Sequence, residues 1–304
     1  LTSLPAQATI ANNADNRVIT GGSGVNLNGE ANLTFDGSTL TVTGAAAVSS
    51  DSTINGVAVG RGAGNATNTL LGSAALDDSS TGGHNVAIGK DALTAMTGGG
   101  NNVAVGSGAL DAVTTSSHNT AVGESALQLS TGAENTAMGS GAMDANTTGT
   151  LNVAVGRSAL GANTTGNEST AVGHSALEEN TTGAQNVALG FRALEQNTTA
   201  NHNTALGHEA LKLNTTGSEN TAVGAFSLDA NIDGHSNTAF GRSSLSANTS
   251  GDYNTALGMY ALLNATTADN NTAVGYAALV SSTTGYSNVA IGKDASYGLT
   301  TGYY

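Results

Sequence analysis

Apolar and polar residues alternate in short bursts along this chain, and the bursts return at a fixed interval. A five-residue word, Asn-Thr/Val-Ala-Val-Gly, ends at Gly60, Gly72, Gly89, Gly106, Gly123, Gly139, Gly156, Gly173, Gly190, Gly207, Gly224, Gly241, Gly258, Gly275 and Gly292. From Gly72 onward these 15 copies stand 17 residues apart, except for one 16-residue step between Gly123 and Gly139; the first step is 12 residues. The residue before the glycine is apolar in every copy, from Val59 to Ile291. Three residues after it stands Ala, replaced by Ser only at Ser227 and Ser244. Four after it stands Leu in 12 of 15 copies, the exceptions being Gly64, Met143 and Ser296. The word opens with Asn in 13 of 15 copies, with Gly56 and Ser169 as exceptions.

A unit of 17 residues is too short for two helices and their turns, and its frequent glycines oppose helix. Thr and Val favour strand. The pattern predicts one coil of a solenoid per unit: a strand, a bend at the Gly, a second short strand and an Asn-Thr-Thr-Gly turn. The fold class expected is all-β, a parallel β-roll or β-solenoid of about 15 coils. Coils stack at roughly 4.8 Å, which makes a rod of roughly 70 Å. Stacking explains why each position repeats. Asn on Asn forms an amide ladder and Val on Val an apolar stripe, while Gly accepts a positive φ where a Cβ would clash.

Neighbouring strand residues point to opposite sides, so the word's Ala and Val face opposite ways, as do Ala and Leu in the expected second strand. Both sheet faces are then apolar and both need cover. The coil interior covers one, and a partner chain is expected to cover the other. The expected core of such a homo-oligomer is a stack of layers that includes Val105, Leu110, Val122, Leu127, Val155, Leu160, Val172, Leu177, Leu189 and Leu194.

The words Asn-Thr-Ala-Val-Gly and Asn-Val-Ala-Ile-Gly, each followed by x-x-Ala-Leu, resemble the head repeats of YadA-like trimeric adhesins over residues 54 to 304. The resemblance implies a left-handed parallel β-roll assembled as a trimer, a fold that bacteriophage tail fibres also use. Residues 1 to 50 lie outside the array and are expected to form a β-rich connector, with the array over 51 to 304. Within the connector, Asn32 to Thr43 alternates around Asp36-Gly37 and predicts a hairpin with a two-residue turn. The stretch from Asn16-Arg17-Val18-Ile19-Thr20-Gly21 to Thr43-Gly44 resembles connector segments of marine phage tail fibres. The last word opens at Asn288 and the next would open at position 305, one past Tyr304. An uncapped last coil leads to the expectation that more protein follows, or that the open edge stacks on another molecule.

Composition narrows the chemistry. The chain has 304 residues, a formal net charge of −14, 42 Gly, 1 Pro, no Cys and no Trp. Its 8 Lys and Arg are too few and scattered for a phosphate backbone, so no nucleic acid is expected as a partner. No apolar run reaches membrane-spanning length, so no membrane insertion is expected within this stretch. The six His residues (His84, His118, His174, His202, His208 and His235) stand apart in sequence. No catalytic or phosphate-loop motif occurs. No metal, cofactor or catalytic residue is therefore expected. Arg61, Lys90, Arg157, Arg242 and Lys293 each follow a word's Gly and so share a corner. The seven Tyr all lie late. Among them, Tyr253, Tyr260, Tyr276 and Tyr286 are candidate glycan or receptor contacts, because a flat ring with a hydroxyl suits such surfaces.

The functional expectation is a non-enzymatic extracellular structural protein: a segment of a phage tail fibre that presents a tip to a host-surface glycan or protein receptor. The alternatives are a bacterial trimeric autotransporter adhesin and a self-assembling extracellular filament.

Overall fold

The computed structural model describes residues 17–21, 27–35, 40–42, 52–54, 57–60, 67–76 and 80–303. The chain divides into two compact units, Leu1–Ser49 and Ser50–Tyr304. In the first, β1 (Arg17–Gly21), β2 (Leu27–Phe35) and β3 (Leu40–Val42) form an antiparallel sheet in that order. The β2–β3 pairing sets Leu33 opposite Val42 and Phe35 opposite Leu40. The paired strands lie where the alternation placed the hairpin, and the expected Asp36-Gly37 turn lies outside the described residues.

The second unit is a β-solenoid. Fourteen three-residue strands, β6 (Thr69–Leu71) to β19 (Val289–Ile291), stand in one parallel ladder in chain order. Their register sets like on like, with Thr136, Ala137 and Met138 opposite Val153, Ala154 and Val155. The short 16-residue step does not disturb this, because Thr120 still pairs with Thr136. The missing residue comes out of the turn: Asn119 Nδ2 reaches the Gly132 carbonyl 13 residues ahead, where the next coil's Asn135 reaches Gly149 at 14.

The first of the fifteen words departs from the expected parallel stack. Its strand β5 (Val57–Gly60) runs antiparallel to β6, and β4 (Ser52–Ile54) runs antiparallel to β5. The short 12-residue first step leaves no room for a full coil, so the chain turns back instead of going round.

Each strand buries its central residue, Leu70 in β6 and Ala in the other thirteen, and turns its outer two residues away from the interior. The interior is narrow and holds that central residue, the residues three and four after the Gly (mostly Ala and Leu), the word Asn and, in the middle coils, a second Asn from the turn. In one coil these are Ala154, Ala159, Leu160, Asn152 and Asn163, all fully buried.

The stretch after the Gly bend is not the expected second strand. Ser158 and Leu160 have φ of 56° and 51°, so the backbone coils and does not extend. Ala and Leu therefore both point inward, where a strand would have sent them to opposite sides. This stretch is still tied to both neighbouring coils, since Ser158 N–H bonds back to Ser140 O and Leu160 N–H forward to Ala176 O. Left-handed backbone costs a Leu about 1–2 kcal/mol, but burying its side chain returns about 1.5–3 kcal/mol. Asn or Gly would relax the backbone and leave the core empty, which explains Leu at this position.

The bend glycine has a close-approach reason. Gly156 has φ +136°, and a Cβ on it would lie 2.4 Å from the Gly173 carbonyl oxygen of the next coil.

Two buried Asn ladders line the interior. In the word ladder, Asn203 Oδ1 accepts the Asn220 N–H at 2.9 Å, and Asn203 Nδ2 donates to the Gly217 carbonyl at 2.9 Å. Where Ser169 replaces Asn, its hydroxyl oxygen accepts the Asn186 N–H at 3.2 Å, so the ladder is unbroken. In the turn ladder, from Asn146 to Asn248, each Asn after the first donates from Nδ2 to the preceding Asn Oδ1 and to the carbonyl three residues on. Asn163 makes these bonds at 2.8 and 3.1 Å. Turn threonines add a third ladder on the outside, as in Thr164 Oγ1 to Thr181 O at 2.9 Å.

Candidate functional surface

The outward side of the parallel sheet carries a row of half-buried and exposed apolar residues. Each strand presents there a Thr or Val first and an apolar residue second. Leu110, Leu127, Leu160, Leu177 and Leu194 are fully buried within the chain. Val105, Val122, Val155 and Val172 are only half-buried, and Leu189 is 46% exposed, because they belong to this outward rank. The ten residues expected to form a core thus divide five and five, and their own chain covers the second five only in part. The same rank carries Met138, Leu206, Leu257 and Phe240, the last 53% exposed. Scattered exposed apolar residues are ordinary, but a continuous stripe of them is not.

The corner after the Gly carries a second feature. His174, Phe191 and His208 stack at 5.6 and 5.2 Å, and Phe226 meets His208 edge-on at 5.2 Å. Arg192 lies over the Phe191 ring and bonds the mostly buried Glu195 at 2.8 Å. Glu209 approaches Arg192 at 3.9 Å and Lys212 at 3.2 Å. Phe191 was the missed member of this column, and aligning the chain at its 17-residue period puts it in register with His174 and His208. The corner cations do not all reach across coils. Lys90 and Lys293 contact the adjoining Asp91 and Asp294, and Arg242 donates to the Tyr260 hydroxyl. Arg61 lies outside the described residues.

The four candidate tyrosines do not form one patch. Tyr260 and Tyr276 meet edge-on at 6.0 Å on the Gly corner, with Arg242 and Lys293 over their respective rings. Tyr253 and Tyr286 lie ahead of the strands, at the other end of the coil's sheet segment. Tyr286 stacks on Tyr303 at 5.2 Å, whereas Tyr253 is 62% exposed. Three of the four rings thus meet neighbouring side chains along the rod, and Tyr253 is the most open of them.

Titration and metal chemistry are sparse. Burial pushes the carboxyls of Asp111, Asp144 and Asp229 above the ordinary aspartate range, opposed at Asp229 by the Ser246 hydroxyl. Among the described residues no three His, Asp or Glu side chains gather as a metal site. His202 Nε2 pairs with Gln185 Oε1, and His235 Nδ1 accepts the Ser218 N–H. The Asn-x-Thr triplets of the turns are spent on the fold. Asn146 is fully buried and its amide donates to Ser130 Oγ and Gly149 O.

No family profile, curated protein or solved structure matches this chain. What the geometry establishes is a parallel β-solenoid whose interior is laddered by hydrogen bonds, with few buried side-chain atoms left unpaired among the described residues, and whose outward sheet face carries exposed apolar residues.

Proposed function

We propose that the chain is a structural segment of a homo-oligomeric fibre, a trimer of YadA-like head repeats in a phage tail fibre that presents a host-receptor-binding tip. The observation that carries this reading is the outward apolar rank, which runs the length of the ladder while the interior is closed by its own hydrogen bonds. A rod with that surface gains most by packing along other rods, and a stiff bundle is what a spacer between particle and receptor requires. The word Asn-Thr-Ala-Val-Gly with x-x-Ala-Leu supports the YadA-like assignment. The long repeat and the connector-like sequence around β1 to β3 support a phage fibre over a bacterial adhesin. The partners are further copies of the chain and a host-surface glycan or protein, the location is the virion exterior, and no catalysis is assigned.

Antibody raised against the purified chain tests the reading on lysates and intact cells of the producing culture. Gold label along fibres of tailed particles is the expected result. Label confined to the bacterial surface would overturn it in favour of an adhesin.

A further inference from the structure

The outward rank poses a problem of alignment. Its steps of about 4.8 Å make a stripe roughly 60 Å long. At two side chains wide, with Thr in the first column of nine of the fourteen strands, it is on the order of the 800 Å² that each partner gives to a stable interface. A surface that matches this period over its full length is the same stripe on a second copy of the chain. Yet a periodic stripe allows copies to slide by one coil and remake nearly every contact, because register is weakly set wherever rungs are alike. The short coil provides no mark, since the turn absorbs its missing residue and the strands stay in step.

Side-chain size is what remains. From Leu71 to Ile291 the larger outward residue of each strand is Val, Leu or Ile, with two exceptions, Met138 and Phe240. Met is flexible and fills uneven space, so it discriminates little. Phe240 is the one aromatic in the rank, and its neighbours in the ladder are Val223 and Leu257.

We propose that Phe240 fixes the axial register of parallel copies of this chain: the rings share one layer, and a one-coil slip is penalised because it breaks that layer. The inference rests on the homo-oligomeric reading above. In register, every copy contributes Phe to the same layer. After a slip, one ring enters a layer sized for Leu or Val and overfills it, and the Phe layer is left with a gap. Both errors are costly in packed interiors. The logic is that of a single distinctive core residue in a coiled coil, which sets alignment without adding much to affinity.

The chain has no Cys, so introduced thiols report alone. Val105→Cys and Val122→Cys chains are mixed, assembled and oxidised. In register, disulfides join 105 to 105 and 122 to 122. Mixed-rung sulfurs are offset by about 4.8 Å along the axis and fall outside disulfide geometry. With Phe240→Leu in both chains, the mixed-rung fraction is expected to rise about tenfold as slipped bundles form. Adding Leu257→Phe to that variant restores same-rung pairing. Mixed-rung disulfides that stay rare in Phe240→Leu would overturn the role of Phe240, while the same-rung links would keep the oligomer reading intact. Chains with wild-type Phe240 that form no intermolecular disulfide, and sediment as monomers, would overturn both.

Discussion

The two sides of each strand solve the same stacking problem in different ways. Inward, Asn152 and its equivalents are fully buried, and every coil presents its neighbour with a matching donor and acceptor. Outward, Val155 and its equivalents stay apolar in every coil but vary among Val, Leu, Ile, Met and Phe, and their own chain leaves them half-buried or exposed. Repetition inside is enforced by unsatisfied polar groups, since one missing amide leaves its neighbours' groups buried and alone. Repetition outside has no such enforcement within a monomer. The comparison separates two sources of repetition between coils, one intramolecular and one that the proposed partner copies would supply.

The largest predicted effect breaks the outward side. Val155→Asp places a charge in every subunit at the expected interface, where burying an unpaired charge costs several kcal/mol. The half-exposed position lets the single chain keep its fold. The expected outcome is an intact β-rich circular dichroism spectrum with loss of the oligomer in light scattering. An oligomer that survives with unchanged melting removes the outward rank from the interface.

Asn203→Leu breaks the inward side. It strands the Asn220 N–H, worth about 1–3 kcal/mol when buried without a partner, while the Gly217 carbonyl keeps the Asn214 amide as a donor. Urea titration should show a loss of roughly 1–3 kcal/mol. A change under about 0.5 kcal/mol would place this variant with ordinary surface substitutions and show that the ladder is not needed.

A smaller effect with the opposite sign comes from completing the turn ladder. It stops at Ala265, which leaves Asn248 Oδ1 and Ser282 Oγ buried without hydrogen-bond partners. In the Ala265→Asn variant, the introduced amide nitrogen would donate to Asn248 Oδ1 and the introduced amide oxygen would accept from the Ser282 hydroxyl. The turn already suits Asn, because Asn197 occupies the equivalent place with Ala200 three residues on. Two added bonds predict a gain of about 1–2 kcal/mol in the same titration. A destabilised Ala265→Asn would mean that the interior has no space there.

The smallest effect is electrostatic. Burial raises the Asp229 carboxyl above its ordinary value, so the folded chain holds that proton more tightly than the unfolded chain does. Stability from this group is present below the unfolded value and is lost as pH rises through the raised folded value. Asp229→Asn should therefore flatten the acid limb of the stability–pH curve and leave neutral-pH stability unchanged or slightly higher. An unaltered acid limb would show that Asp229 is not the group that titrates there.

Most of the fold was legible because its rules act at fixed sequence distance. The 17-residue period set the ladder, the word Gly marked the close approach, and strand alternation separated inward Ala from outward Val. The rest depended on energies that a pattern does not display. Leu160 and its equivalents adopt a left-handed backbone that Leu normally avoids, and only the burial gained explains it, so the second strand was misread. The direction of β5 follows from a short first step whose consequence is geometric. On the candidate surface, the corner column was half legible through His174 and His208, whereas the scattering of the tyrosines required knowing where the coil turns.

The central claim is that the outward rank is covered by other copies of the chain. Sedimentation equilibrium on the purified protein tests it most directly. The account predicts a single species with an integral multiple of the chain mass, three being the expected number, and no monomer at micromolar concentration. A stable monomer across that range would contradict it.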